Sequence, residues 1–395
     1  MPWTDWKEPF PALGGRSILV EDGFMSERAT SHRIEVDPLF RRICSSLERA
    51  GIRCDPGDLH ALAGDASSRR YVRVHPKDAH PSPSCVIMVL PRPGAFQSEE
   101  RTNGPVPEEM PFISVHRHLS AISWPVPDIY HYDADEGILL LEDLGDVTLE
   151  AWWRGKTHAD MRRWYEEAVD LIVALQTLDR AELDAKSSIA LNRFDHAVLK
   201  WELEHFLEYG LPGFPAAFSR AERGVIRSFV EDMSQRLAGL TPVIVHRDFH
   251  SRNLMVHGGR LRVIDFQDAL LGPRHYDLAS LLFDAYVQLD GEMRAHVLEY
   301  YFSAAERAGV ASDDPRFEDF RANFEQVALH RGLKMIGRFG YLAKERGKTA
   351  YLAYVPALVE RMIALLDGNP EAAEFYQVVV NPLSSWTKDT WGQGA

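Results

Sequence analysis

The chain has 395 residues, of which 45% are hydrophobic and 26% charged, enough for two packed lobes rather than one core of ordinary size. Its 44 basic and 58 acidic residues give a formal charge of −14, which argues against the basic face that a nucleic-acid partner needs. Three cysteines (Cys44, Cys54 and Cys85) without C-x-x-C spacing make neither a disulfide framework nor a zinc site, and no uninterrupted apolar run approaches the roughly 18 residues of a membrane span.

Residues 1–36 form an irregular leader with Gly14-Gly15, scattered charges and no apolar signal core, and are read as an N-terminal arm of unknown role. From Asp37 to Ala50, Leu39, Ile43 and Leu47 recur every four residues, which predicts a helix. Leu62–Val74 reads as strand, tight turn and strand about Gly64-Asp65-Ala66-Ser67-Ser68. Cys85–Leu90 suits a buried central strand, 91–111 a Pro/Gly-rich loop, Pro111–Ile122 a helix and Gly137–Leu144 a strand ending at Glu142-Asp143. After Thr148 the character changes. Helical spacing runs through 149–178, 195–209, 219–237, 276–286, 293–308, 317–342 and 354–366, broken by short strands at 243–246 and 261–264. A strand-rich portion, 37–146, thus precedes a helix-rich portion, 147–395.

The two short strands flank Val245-His246-Arg247-Asp248-Phe249-His250-Ser251-Arg252-Asn253-Leu254, which matches H-R-D-x-x-x-x-N. Twelve residues beyond Asn253, the second strand ends in Asp265. Phosphoryl transfer needs a carboxylate to orient the attacking hydroxyl and accept its proton, and oxygen ligands for a divalent cation that neutralises the phosphates. Asp248 fits the first role, and Asn253 and Asp265 fit the second with Mg2+ as the ion. His246 reads as a residue that hydrogen-bonds the loop, with Arg247 beside it in support. Asp268 is either a further partner of the metal site or a loop cap.

This hairpin, with Gly272-Pro273-Arg274-His275-Tyr276-Asp277-Leu278-Ala279, resembles the aminoglycoside phosphotransferase family. Further segments, Leu62-Ala63-Gly64-Asp65-Ala66-Ser67-Ser68-Arg69-Arg70-Tyr71, Leu139–Asp146 and His330-Arg331-Gly332-Leu333-Lys334, are similar to bacterial anomeric kinases for N-acetylmuramate and N-acetylglucosamine in cell-wall recycling. The resemblance covers residues 37–366. It implies an α+β, bilobal protein-kinase-like fold: a small antiparallel-sheet N-lobe (37–146) and a larger helical C-lobe (147–395). ATP, Mg2+ and a sugar acceptor bind between them, in a cytoplasmic enzyme without nucleic-acid, membrane or obligate protein partners. Other acceptors such as aminoglycosides or amino alcohols, and a nucleotide-binding pseudokinase, remain as alternatives.

The chain departs from protein kinases in three ways. No DFG follows Asp265, no long activation segment precedes the next helix, and Cys85–Leu90 lacks the third-strand lysine while Pro111–Ile122 lacks its glutamate partner. Arg69 or Arg70 is a candidate replacement cation. The Gly64-to-Ser68 turn, through Gly64, Ser67 and Ser68, is a candidate phosphate cradle, and the strand end at Glu142 and Leu144 is where kinase-like folds receive adenine. Trp201-Glu202-Leu203 resembles a family segment whose glutamate faces the sugar. Glu202 and Trp201, the latter or Trp152 by stacking, are therefore acceptor candidates, with a core tryptophan and a solvated glutamate as the alternative. Arg331, Lys334 and Arg338 share one helical face, which is either a solvated basic stripe or a receiver for an anionic sugar substituent or phosphate.

Overall fold

A computed structural model describes residues 38–54, 58–62, 69–77, 81–91, 107–179, 181, 183–309 and 319–385. The leader 1–36, the Gly64–Ser68 turn and most of the 91–111 loop lie outside the described residues.

The N-terminal region is a five-stranded, wholly antiparallel sheet in the order β1-β2-β3-β5-β4. Its strands are β1 (Leu59–Ala61), β2 (Arg70–Val74), β3 (Cys85–Val89), β4 (Ile129–Asp133) and β5 (Ile138–Glu142). Side chains alternate across a strand, so each strand serves two faces. Val72, Val74, Cys85, Ile87, Val89, Ile138 and Leu140 pack with Ile43 and Leu47 of α1 (Pro38–Arg49). Met88, Leu139 and Leu141 face the other way, into the main core with Phe112 and Val115 of α2 (Pro111–Ala121). The third strand is therefore Cys85–Val89, and it carries no lysine.

The C-terminal region is predominantly helical. The expected helix over 149–178 is two: α3 (Leu149–Trp153) and α4 (His158–Gln176). Gly155, at φ +73°, interrupts them, and each starts afresh on its own threonine cap, Thr148 and Thr157, the latter in a capping box with Asp160. Then follow α5 (Ser188–Leu191), α6 (His196–Tyr209, capped by Asp195) and α7 (Arg220–Ala238, capped by Ser219). Four short strands come next: β6 (Pro242–Val245), β7 (Leu254–His257), β8 (Arg260–Val263) and β9 (Leu270–Pro273). β6 pairs with β9 and β7 with β8. Helices α8 (His275–Leu282), α9 (Gly291–Arg307), α10 (Phe320–Arg346), α11 (Val355–Asp367) and α12 (Ala373–Ser384) complete the region.

Strands β1, β4, β7 and β9 and helices α5 and α12 go beyond the sequence reading, which begins its first strand at Leu62 and gives only 243–246 and 261–264 around the loop. β4 shows no clean burial alternation, β9 ends in the breakers Gly272-Pro273, and α12 contains Pro382. Thr349–Asp367 is apolar enough by length and composition to cross a membrane, yet Leu358, Val359, Met362, Leu365 and Leu366 of that segment are buried in the main core.

Candidate active site

The H-R-D-x-x-x-x-N hairpin is the loop between β6 and β7, closed by the β7–β8 pair. Its ends are cross-tied. The His246 ring donates through Nε2 to the Ile264 carbonyl at 3.0 Å, and Ile264 N donates to the Asn253 carbonyl at 3.0 Å. Asn253 Nδ2 donates to the Asp248 carbonyl at 2.9 Å, which leaves its amide oxygen as the acceptor atom. These bonds bring His246, Asp248, Asn253 and Asp265 into one constellation.

The hairpin stores backbone strain at two positions. Arg247 has φ +81° and Asp265 φ +63°, both in the left-handed region that non-glycine residues rarely occupy. The surroundings hold them there. Asp277 in the first turn of α8 accepts from His246 N at 2.7 Å and from Arg247 N at 3.0 Å. Asp284 accepts from Ser251 N at 2.8 Å. The Arg247 side chain is fully buried, 2.9 Å from Glu202 Oε1 and 5.3 Å from the Phe194 ring centre. On the other side, Gln267 Nε2 donates to Asp265 Oδ1 at 2.9 Å and to Asp268 Oδ2 at 3.0 Å, so Asp268 joins Asp265 through an amide bridge.

Asp248, Asn253 and Asp265 line one cleft of about 400 Å³ between the sheet and the helical region. Leu62, Tyr71, Val86, Phe112, Leu141, Met255 and Ile264 give it an apolar wall. Burial pushes the Asp248 carboxyl up, but the charges of Lys334, Arg331, His250 and Arg247 outweigh that and hold it well below the usual carboxylate range. Arg331 Nη2 lies 3.8 Å from Asp248 Oδ1. Asp265 goes the other way. Enclosure by the cleft walls pushes it up to about 6, although Arg69, 3.9 Å away, pulls it down and 48% of its side chain still opens on the cleft. The crowding of Asp265 by Asp268 and Asp248 marks a place that gains from a cation.

The other expected residues fall as follows. Arg69, Tyr71 and Arg73 line the cleft, whereas Arg70 is exposed and shares the opposite face of β2 with Val72. Period-2 alternation separates the two arginines, and Arg69 is the one turned toward Asp265. Glu142 and Leu144 both line the cleft. The Glu142 carboxylate is taken up by Arg262 Nη1 at 2.9 Å and Asp128 N at 3.1 Å, and the Leu144 carbonyl accepts from the His257 ring at 3.0 Å. Glu202 is fully buried beneath the catalytic loop, bridging Arg247 and Lys334 (3.2 Å), and it is not part of the cleft wall. Trp201 stacks on His205 at 5.4 Å and Trp152 meets Trp164 edge-on at 5.4 Å, both away from the cleft wall. Arg331 and Lys334 are 2% and 5% exposed, so the basic face of α10 is buried at its start rather than solvated, and Lys334 and Arg338 reach the cleft. Gly64, Ser67 and Ser68 lie outside the described residues.

Sequence reasoning missed Asp277, Asp284 and the placement of Lys334 beside Asp248. Asp277 stood in a quoted motif, but its role as acceptor for two loop amides depends on a contact 30 residues away in the chain.

This fold and this cleft define a phosphotransferase with a protein-kinase-like architecture. Solved structures share the fold. A choline kinase from Cryptosporidium parvum Iowa II superposes with a TM-score of 0.55 at 13% identity, over 88% of this chain and 99% of that one. The gentamicin complex of APH(2")-IIa gives 0.54 at 16% identity, over 90% and 98%. The chain belongs to the phosphotransferase enzyme family, whose model matches residues 58–312, and it is an ATP-dependent phosphotransferase. Two curated relatives are similar over most of their length. The N-acetylmuramate/N-acetylglucosamine kinase of Pseudomonas aeruginosa is 34% identical over 329 residues, 82% of this chain and 89% of that protein. The protein of the same name from Neisseria meningitidis serogroup B is 30% identical over 330 residues, 82% and 90%.

Proposed function

We propose that the protein phosphorylates the anomeric hydroxyl of an N-acetyl amino sugar with ATP and Mg2+, as a cytoplasmic N-acetylmuramate/N-acetylglucosamine 1-kinase. The observation that carries this reading is the convergence of Asp248, Asn253 and Asp265 in one cleft, in a chain whose relatives at 30–34% identity bear that name. Residues 37–146 serve as the nucleotide lobe and 147–395 as the catalytic and acceptor lobe.

Asp248 accepts the hydrogen bond of the acceptor hydroxyl and takes its proton as the oxygen bonds to the γ-phosphorus and the bond to the ADP oxygen breaks. A carboxylate kept ionised by Lys334 and Arg331 is always in the acceptor form. The residues present fit magnesium. Among the described residues no three His, Cys, Asp or Glu side chains form a metal cage, and magnesium in phosphoryl transfer uses one or two protein oxygen ligands, with phosphate oxygens and water completing the shell. Asp265 Oδ and Asn253 Oδ1 would hold the ion, which neutralises charge on the phosphates. Arg69 supplies the positive charge that the third strand lacks. The adenine ring packs against the apolar wall and bonds the backbone near Glu142 and Leu144, since the Glu142 carboxylate is already engaged. Gly64, Ser67 and Ser68 remain proposed ATP contacts from sequence, whereas Arg70, on the opposite face of β2, is dropped from that set in favour of Arg69. Glu202 acts from beneath the loop, by positioning Arg247 and Lys334, rather than on the sugar.

The test is an ATP-consumption assay over amino sugars, aminoglycosides and choline-like alcohols, followed by NMR of the product. Turnover of N-acetyl amino sugars with phosphorus coupling at C1 is expected. Turnover confined to aminoglycosides or amino alcohols would overturn the acceptor assignment.

A further inference from the structure

One end of the cleft is walled by a single face of α10. Lys334, Met335, Arg338, Phe339 and Leu342 all line it, opposite Tyr286 and Tyr351. Their offsets from Lys334, namely 1, 4, 5 and 8, follow the helical repeat. This face is split by chemistry, with the cations Lys334 and Arg338 along one row and Met335, Phe339 and Leu342 along the next. Phe339 stacks on Tyr351 at 5.4 Å, which extends the apolar row into an aromatic one.

The acids that line the cleft are unevenly placed. Glu142 is ion-paired with Arg262, and Asp143 is bonded by Arg73 Nε at 2.6 Å. Asp265 and Asp268 sit at the far end of the hairpin beside Arg69. Asp248 lines the same cleft under the charges of Lys334 and Arg331, and Arg252 and Arg338 add two more cations to its lining. Arg252 is held by Glu150 at 3.1 Å and lies 3.8 Å from the Tyr286 ring centre. A polycationic acceptor would meet this wall as repulsion. A sugar that presents an apolar ring face to the aromatic row and an anionic substituent to the cationic row would be matched on both counts.

Building on the amino-sugar reading above, we propose that Lys334 and Arg338 determine acceptor selectivity by binding a carboxylate carried on the sugar. The enzyme then prefers a carboxylate-bearing N-acetyl amino sugar to its neutral counterpart. Lys334, placed between Glu202 and the cleft, anchors the near end of the carboxylate site. Arg338, one turn further along and over the Tyr341 ring at 5.4 Å, closes the far end.

The test compares kcat/KM for N-acetylmuramate and N-acetylglucosamine in the wild type, Arg338→Gln and Arg338→Lys, with the amide of the muramate carboxylate as a third acceptor. In Arg338→Gln the muramate-to-glucosamine ratio should fall about tenfold, the free-energy equivalent of one charge-assisted hydrogen bond, chiefly through KM for the anionic sugar. Arg338→Lys should recover part of it. The amide should lose the preference in wild type and lose little more in Arg338→Gln. An equal loss for both sugars, or a ratio unchanged in Arg338→Gln while wild type phosphorylates both, would overturn the carboxylate site and leave the amino-sugar reading standing. Wild type that turned over neither sugar would sink that reading itself.

Discussion

Replacing Asp277 by asparagine removes the charge that holds the catalytic loop while nearly preserving its volume. Asp277 accepts from His246 N and Arg247 N at 2.7 and 3.0 Å, and Arg247 sits at φ +81°. Burial pushes the Asp277 carboxyl up to about 6, so at neutral pH it is still the anionic double acceptor. Each amide bond to a charged acceptor contributes about 1.5–3 kcal/mol. An asparagine keeps one acceptor oxygen and turns an NH2 donor toward the other amide. The loss is one charge-assisted bond plus an orphaned buried N–H, partly offset by relief of carboxylate desolvation, or about 3 kcal/mol net. If that energy is withdrawn from the loop conformation that aims Asp248, kcat falls about 100-fold. With the proposed ATP site against the sheet-side wall, nucleotide binding should change far less. Steady-state kcat together with calorimetric titration of nucleotide on the same variant measures both. An Asp277→Asn enzyme that kept its kcat within twofold would show that the strained loop is held by something other than these two bonds.

Three further outcomes follow from the same geometry. Arg69→Ala should raise KM for ATP about tenfold, the weight of one charge-assisted contact, while Arg70→Ala should leave it near wild type; steady-state kinetics on both variants checks the face assignment in β2. Gly337→Ala should destabilise the protein by about 1–3 kcal/mol or more, read as a lower urea midpoint, because its Cβ would stand 2.6 Å from Phe206 Cα and 2.8 Å from Phe206 N, backbone atoms that cannot swing aside. Asp143→Asn should remove a pH-dependent part of stability. Burial raises this carboxyl, but bonds from Arg73, Ser84 and Gly145 N outweigh that and lower it from 3.8 to about 2. Its contribution is therefore complete above pH 3.8 and lost as pH falls toward 2, and amounts to about 1–2 kcal/mol after allowance for screening at the exposed Arg73–Asp146 edge. Urea midpoints of wild type and variant should differ at pH 6 and converge near pH 2.

The sequence alone determined the parts whose chemistry is local. Asp248, Asn253 and the strand-terminal Asp265 were legible because a hairpin fixes their spacing, and most helices were legible because one apolar stripe must recur every 3.6 residues to meet a core. The missing third-strand lysine was equally plain, since a strand either carries a residue or does not. Tertiary structure decided everything that depends on which distant segment supplies a partner. Arg69 rather than Arg70 faces the cleft because the register of β2 against β3 assigns the faces. Glu202, read from its segment as a sugar contact, lies at 0% exposure under Arg247 because α6 and α10 pack closely enough at Gly337 to seal it. The cations of α10 read as a solvated stripe or a receiver in one dimension. Arg331 and Lys334 are buried beside Asp248 because the helix packs against α6 under the H-R-D loop, and a charge pattern cannot show which of its faces the rest of the chain will cover.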